Sequence, residues 1–344
     1  MKLIDTKDAA GHVLCHDITQ IIPGVSKGPV FKKGHVVTAE DIPVLLSVGK
    51  EHLYVWEKKE GMLHEDEAAE ILREICMGED PCMTAGEPSE GKIEIRAAED
   101  GLFKLDRKRL KAVNSLGEMM IATIHGDMPV HKGQKLAGTR VIPLVIEEEK
   151  MKRAKEAAGD RPLFSLLPFR KLRYGLVVTG NEVAAGRIED AFGPVLRKKL
   201  DDYGGKFMGQ QILSDDREGI TEAIRKFAGD GAELILVSGG MSVDPDDRTP
   251  GAIKDTGTEI ISYGAPVLPG AMFLLSYLKT EGGEIPVLGL PGCIMYAKRT
   301  VFDLVLPRIL AGERLSAEDL ADYGEGGLCL GCEECHYPNC GFGK

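Results

Sequence analysis

From about Arg173 onward, short and almost wholly apolar runs alternate with stretches that repeat apolar residues at helical spacing. No other feature narrows the fold of this chain as far. Tyr174-Gly175-Leu176-Val177-Val178-Thr179-Gly180 is an apolar run ending in a polar Gly turn, residues 195–203 read as a helix closed by Gly204-Gly205, and residues 207–213 are a second strand. Asp215-Asp216 can cap a helix over residues 217–228, whose stripe is Ile220, Ala223, Ile224 and Phe227. Leu234–Ser238 is a third strand ending in Gly239-Gly240. Residues 272–278 and 285–290 flank Thr280-Glu281-Gly282-Gly283 as a hairpin, and Val301–Leu310 is the last helix. Strands without polar alternation are buried on both faces, and strands separated by helices run parallel. The predicted class is therefore α/β, a three-layer, doubly wound and mostly parallel sheet.

The preceding residues predict a β-rich α+β region. Short apolar pieces broken by Gly and Pro, with one small helix at Asp41–Ser47, mark residues 1–60 as a small module. Residues 61–150 hold an acidic amphipathic helix at 65–76, with Ala68, Ile71, Leu72 and Ile75 on one stripe. A Gly/Pro/Ser loop follows at 78–91, then strands around Ile93–Ile95, 121–124 and 141–145, and a short helix at 106–114. Residues 147–158, rich in Glu, Lys and Ala, either link two domains or open the next one. The α/β domain is placed at 171–322 and a Cys-rich tail at 323–344.

Composition excludes some classes of function. In 344 residues, 43 Lys and Arg stand against 54 Asp and Glu, a net charge of −11. A general nucleic-acid binder needs a basic face, so nucleic acid is not an expected partner, although a local pocket can still take an anion. No apolar run approaches the roughly 18 residues that span a membrane, so no membrane partner is expected. Residues 1–11 carry charges where a signal peptide needs an apolar core, and a cytoplasmic location is expected. In a reducing compartment, the eight cysteines read as thiols or metal ligands rather than disulfides.

In open α/β sheets ligands bind beyond the carboxyl ends of the strands. Three loops lie there: Thr179-Gly180-Asn181-Glu182, the segment from Ser238-Gly239-Gly240-Met241-Ser242 through Val243-Asp244-Pro245-Asp246-Asp247, and Gly289-Leu290-Pro291-Gly292-Cys293. Glycines let backbone N–H groups approach an anion, and hydroxyls add donors, so Ser238, Gly239, Gly240 and Ser242 suit a phosphate. Glu182, Asp216, Asp246 and Asp247 could hold a hard cation such as Mg²⁺ through oxygen. The plainer reading makes the same residues turns and helix caps. Neither the Rossmann glycine fingerprint nor a P-loop is present.

The ordered series Val177-Val178-Thr179-Gly180-Asn181-Glu182-Val183, Ile212-Leu213-Ser214-Asp215-Asp216, Val237-Ser238-Gly239-Gly240-Met241-Ser242-Val243 and Gly289-Leu290-Pro291-Gly292 resembles the molybdopterin-binding domain of molybdenum-cofactor biosynthesis proteins. The molybdopterin molybdenumtransferases and the C-terminal domain of gephyrin belong to that family. The resemblance covers residues 173–312 and implies the molybdopterin-binding fold, with molybdopterin or adenylylated molybdopterin, Mg²⁺ and molybdate as ligands. It further implies that Glu182, Asp216 and Asp247 handle metal or molybdate. Thr179, Gly180, Asn181, Ser238, Gly239, Gly240, Ser242, Pro291 and Gly292 would then bind the pterin. Where the family turn has Asp this chain has Asn181, Asp244 replaces a usual Gly, and Cys293-Ile294-Met295-Tyr296 replaces N-P-V-S. Two functions follow: Mg-dependent insertion of molybdate into molybdopterin, or a non-catalytic carrier, sensor or maturation partner of a molybdoenzyme. A molybdoenzyme, another cofactor-biosynthesis protein and a second copy of the chain are the protein partners considered.

Cys329-x-x-Cys332-x-x-Cys335-x-x-x-x-Cys340 is dense enough to wrap one soft metal site, either zinc or an iron–sulfur cluster. A segment as short as 323–344 forms no core of its own, so metal is expected to supply most of its order. Cys293, on a glycine loop at the expected pocket, is a candidate functional thiol. Cys15, Cys76 and the His12/His16 pair read as structural.

Overall fold

The computed structural model describes residues 2–22, 26–55, 60–242 and 247–344. The chain divides into two compact units, one of Met1–Ala98, Leu105–Ile124 and Lys132–Ser165, the other of Glu99–Lys104, His125–His131 and Leu166–Lys344.

The first unit is β-rich. Its largest sheet runs Met83–Ala85, Lys92–Ala97, Lys135–Val141, Met119–Thr123, each strand antiparallel to its neighbour. Helix Glu65–Met77 lies against it and buries Ala68, Ala69, Leu72, Ile75 and Cys76. The helix begins with a capping box in which Glu67 accepts the His64 N–H at 2.9 Å. Helices at Asp41–Ser47, Arg107–Asn114 and Glu148–Ala158 match the expected positions to within a residue, and Asp106 caps the second by accepting the Arg109 N–H at 2.9 Å. Two expectations fail. The loop at 78–91 contains the edge strand Met83–Ala85. The strand expected over 141–145 is broken: one strand ends at Val141, and Val145–Glu147 pairs separately with Met62–His64. Pro143, with no N–H to donate, stands in the break.

The second unit carries the predicted alternation, with α1, α4, β4 and α6 in addition to the expected elements, as β1 (Arg173–Thr179), α1 (Asn181–Ala184), α2 (Phe192–Asp201), β2 (Lys206–Leu213), α3 (Arg217–Gly229), β3 (Leu234–Ser238), α4 (Thr249–Asp255), β4 (Glu259–Tyr263), β5 (Leu274–Thr280), β6 (Gly283–Leu290), α5 (Val301–Leu310) and α6 (Ala317–Ala321). The sheet order is β2-β1-β3-β6-β5-β4. The first four strands are parallel, and β5 is antiparallel to both neighbours. The predicted hairpin is β5–β6. Successive side chains of a strand point to opposite faces, and the two cores divide accordingly. Tyr174, Leu176, Val178, Leu234 and Leu236 pack with Phe192, Leu196 and Leu200 of α2 and with α5. Val177, Ile235 and Val237 pack with Ile220, Ile224 and Phe227 of α3 and with α4. This is the expected three-layer architecture. Each fully buried Leu, Ile or Val stabilises it by roughly 1.5–3 kcal/mol. Among the described residues no helix is long and apolar enough to cross a membrane.

After α5 comes the short α6, which the sequence pattern does not announce because five residues carry no helical period. Its N-terminus is fixed by Ser316 and Asp319, each accepting the other's backbone N–H, at 3.2 and 2.8 Å. The tail is ordered by packing to an extent the sequence does not suggest. Pro307 lies inside α5 and has no N–H for the carbonyl of Asp303 one turn earlier. The Tyr337 hydroxyl supplies the missing donor at 2.9 Å. Tyr323 and Phe342 join the core around α5, and Leu268 and Cys329 exchange backbone bonds with the tail and its docking loop (Leu268 N–H to Gly327 O and Cys329 N–H to Leu268 O, both 2.8 Å).

Candidate functional site

The strand register assembles one edge. Thr179 of β1 is opposite Leu213 of β2, Val178 is opposite Ser238 of β3, and Ser238 is opposite Leu290 of β6. The three candidate loops therefore leave neighbouring parallel strands at their carboxyl ends. The chain steps from β1 outward to β2 and then back across to β3, so the crevice between β1 and β3 is the topological switch point at which such sheets take ligands.

Gly239 and Gly240 turn the chain away from β3 with φ of +93° and +56°, a region that favours glycine. A side chain on Gly239 would put its Cβ 2.1 Å from the Thr179 carbonyl oxygen, so the two loops close together only because it has none. Beneath them Ser238 is fully buried, and its hydroxyl has no hydrogen-bond partner among the described residues. A buried, unpaired hydroxyl is costly unless something supplies its partner. Thr179 is buried too, but its hydroxyl is 3.2 Å from that of Thr249 at the start of α4, a tie between loops that the sequence does not suggest.

The acids take different positions. Glu182 lies exposed in α1, directly after Gly180. Asp216 is exposed and caps α3, accepting the Gly219 N–H at 2.9 Å, which is the plainer of the two readings offered for it. The acid that reaches the crevice is its neighbour Asp215. Its carboxylate accepts the Asn181 N–H at 3.2 Å, the Asn181 side-chain oxygen accepts the Asp215 N–H at 3.3 Å, and a Cβ on Gly240 would sit 3.3 Å from it. Asp247 folds back on its own loop and accepts the Ser242 N–H at 2.7 Å. Tyr263, missed by sequence reasoning, donates to the Met241 carbonyl at 2.8 Å; burial, and then the charge of Asp247, push its hydroxyl pKa up. Asp244 and Asp246 lie outside the described residues.

Pro291 is buried and starts the turn Gly292–Met295, while Gly292 is exposed with open space around it. Burial raises the pKa of the Cys293 thiol, which keeps it protonated and argues against an activated nucleophile. Beyond this turn, Tyr296, Lys298 and Arg299 line a cavity of about 440 Å³ together with Cys329, Cys332, Cys335 and Cys340. Among the described residues no three His, Cys, Asp or Glu side chains are placed to hold one metal ion.

A family described as a probable molybdopterin binding domain matches residues 175–311, and a domain of unknown function matches residues 3–57. A CinA-like protein of Mycolicibacterium vanbaalenii is 44% identical over 78 residues, 22% of this chain and 18% of that protein. A molybdopterin molybdenumtransferase of Synechococcus elongatus is 27% identical over 163 residues, 45% of this chain and 38% of that protein. The matched segments thus span less than half the length of either relative. Among solved structures, the tungsten cofactor synthesizing protein MoaB from Pyrococcus furiosus is 19% identical, with 36% of this chain and 84% of that chain covered and a TM-score of 0.32. Residues 175–311, with their glycine turn over Ser238 at the switch point, belong to the family described as a probable molybdopterin binding domain.

Proposed function

We propose that the second unit binds molybdopterin through its phosphate at Ser238–Ser242 and acts in molybdenum-cofactor biosynthesis, holding the pterin for insertion of molybdate. The observation that carries this reading is the buried Ser238 hydroxyl without a partner, under two left-handed glycines. A phosphate oxygen seated there would accept from it. Thr179, Gly180, Asn181, Pro291 and Gly292 would shape the rest of the crevice. Bound Mg²⁺ would offset the charge that an anionic ligand meets beside Glu182, Asp215 and Asp247. Asp215 takes the place first given to Asp216, because the Asp216 carboxylate is engaged at the start of α3. A zinc ion or an iron–sulfur cluster on Cys329, Cys332, Cys335 and Cys340 belongs to the reading as a separate metal site. The protein's partner in the cytoplasm would be a molybdoenzyme, another cofactor-biosynthesis protein or a second copy of the chain.

A second reading, a carrier or maturation partner that binds the pterin without changing it, is favoured by one observation. With Asn at 181, Asp216 on a helix cap and Asp247 clamped to Ser242, few carboxylates are left for metal transfer. The test is to titrate the full chain anaerobically with molybdopterin or adenylylated molybdopterin, with and without Mg²⁺ and molybdate, and to measure bound pterin and molybdenum. Molybdenum incorporation that depends on Mg²⁺ supports insertion. Bound pterin that stays free of molybdenum supports the carrier. Absence of pterin affinity refutes both.

A further inference from the structure

We infer that the four tail cysteines hold an iron–sulfur cluster, and not a single zinc ion, in the cavity they line beside α5. This goes beyond the pterin reading and does not depend on it.

The first argument is geometric. Cys329, Cys332, Cys335 and Cys340 all line one cavity of about 440 Å³. A zinc–thiolate bond of about 2.3 Å would draw four sulfurs to within about 4 Å of each other, leaving no space between them. Here the four cysteines are spread along the cavity wall, and among the described residues no three ligand groups are placed to share one ion. A cluster carries its own inorganic sulfide, which holds its thiolates further apart than a single ion does, with one thiolate on each iron. Each thiol gives up its proton to bind.

The second argument is the chemistry of the walls. Pro269, Leu328, Tyr337 and Phe342 make them largely apolar, which suits a soft, sulfur-rich body and not a hydrated ion. Two cations are held at the same place. Lys298 donates to the carbonyls of Cys332 and Glu333. Arg299 is pinned by Asp303 at 2.9 Å and stacks 4.9 Å from the Tyr337 ring centroid. From there it donates to the Cys335 sulfur, while its buried Nε has no partner among the described residues. Four thiolates on a cluster carry net negative charge, and N–H groups aimed at sulfur are what such clusters use to balance it. An N–H without a partner on the wall is a donor left for a sulfur that the chain itself does not supply.

The third argument is order. A loosely attached tail would leave its ligands scattered until metal arrived. Here Tyr337 and Phe342 are packed against α5, so the frame around the cavity exists already. Cys332 and Cys335 are exposed, which places the cluster near solvent and makes it sensitive to oxygen.

The test is anaerobic reconstitution of the full chain with ferrous iron and sulfide, alongside loading with zinc alone. The expected result is about four iron and four acid-labile sulfides per chain, with broad sulfide-to-iron absorption that bleaches on reduction. The double variant Cys332→Ser/Cys335→Ser should lose both iron and colour. The Cys82→Ser control should keep both. Because Cys332 and Cys335 are exposed, circular dichroism should report an intact fold in the double variant. One tightly held zinc per chain, with no chromophore under reconstitution, overturns the proposal. Iron and sulfide retained in the double variant overturn the ligand assignment. If that variant unfolds, the stoichiometry of the wild-type chain still decides between cluster and ion.

Discussion

Replacing Ser238 by alanine should make the ligand-free protein more stable and the pterin complex weaker. Ser238 sits at the end of β3, the strand between β1 and β6, and is fully buried. Its hydroxyl has no partner among the described residues, and such a group costs about 1–3 kcal/mol to bury. Ser→Ala removes one heavy atom and forfeits well under about 1 kcal/mol of dispersion contact. The net change for the ligand-free protein is a gain of about 1 kcal/mol. In a unit of this size that raises Tm by about 2–4 °C. With ligand the sign reverses. A hydroxyl bonded to a charged phosphate contributes about 1.5–3 kcal/mol, so Ser238→Ala should weaken molybdopterin roughly ten- to a hundredfold. Urea unfolding followed by circular dichroism measures the first effect, and equilibrium dialysis of molybdopterin the second. A variant that is less stable than the wild type without ligand would show that the hydroxyl is already satisfied. A variant that binds pterin equally well would remove Ser238 from the site.

Two further outcomes follow from the geometry. Asp216→Ala should cost about 1 kcal/mol of stability through the lost cap on α3 and leave pterin affinity unchanged, whereas Asp215→Asn should leave folding nearly unchanged and reduce Mg²⁺-dependent binding; the reverse pattern in paired melting and dialysis experiments would restore Asp216 to the site. In the first unit, burial, with help from the charge of Asp66, pushes the carboxyl of Glu65 up to about 7. The folded state therefore binds this proton more tightly than the unfolded chain, so the stabilisation is complete below the usual glutamate range and is lost as pH rises through about 7. Glu65→Gln should change little at about pH 4 and raise stability by about 2–3 kcal/mol at about pH 8; an equal effect at both values in urea titrations would mean that Glu65 is ionised in the fold.

The sheet was legible because its strands announce themselves twice, by apolar runs and by the helices between them. Leu234–Ser238 and Val301–Leu310 fall where the pattern places them. The edge that gathers the three loops was legible, because a parallel sheet puts every strand's carboxyl end on one side. Which acid faces the crevice was not legible. Asp215 and Asp216 are the same residue type one position apart, and only the backbone angle at the start of α3 decides which caps and which reaches across. Long-range pairing was hidden for a related reason. Met128–Val130 pairs with Gly101–Phe103, two runs too short for a period, and both segments belong to the second unit although they interrupt the first. Phe342 sits in a polar, Cys-rich stretch that reads as a tail, yet it is 4% exposed in the core. Its burial depends on α5, which lies elsewhere in the sequence.

That interleaving of the two units has a consequence for how the chain is made. A ribosome delivers residues in order, and domains usually close as they emerge. The first unit has all its residues once Ser165 has been made, so it can close during translation. Glu99–Lys104 and His125–His131 have by then been made but belong to a sheet unit not yet synthesised. Their own antiparallel pairing can form at once, and Phe164–Pro168 then adds to the other side of Gly101–Leu105. The core around α5 then remains unfilled until Phe342 has been made. The interval of greatest exposure to aggregation and to chaperones therefore runs from the synthesis of Leu166 to that of Phe342, and slow codons or truncation within it would strand a closed first unit beside an open sheet.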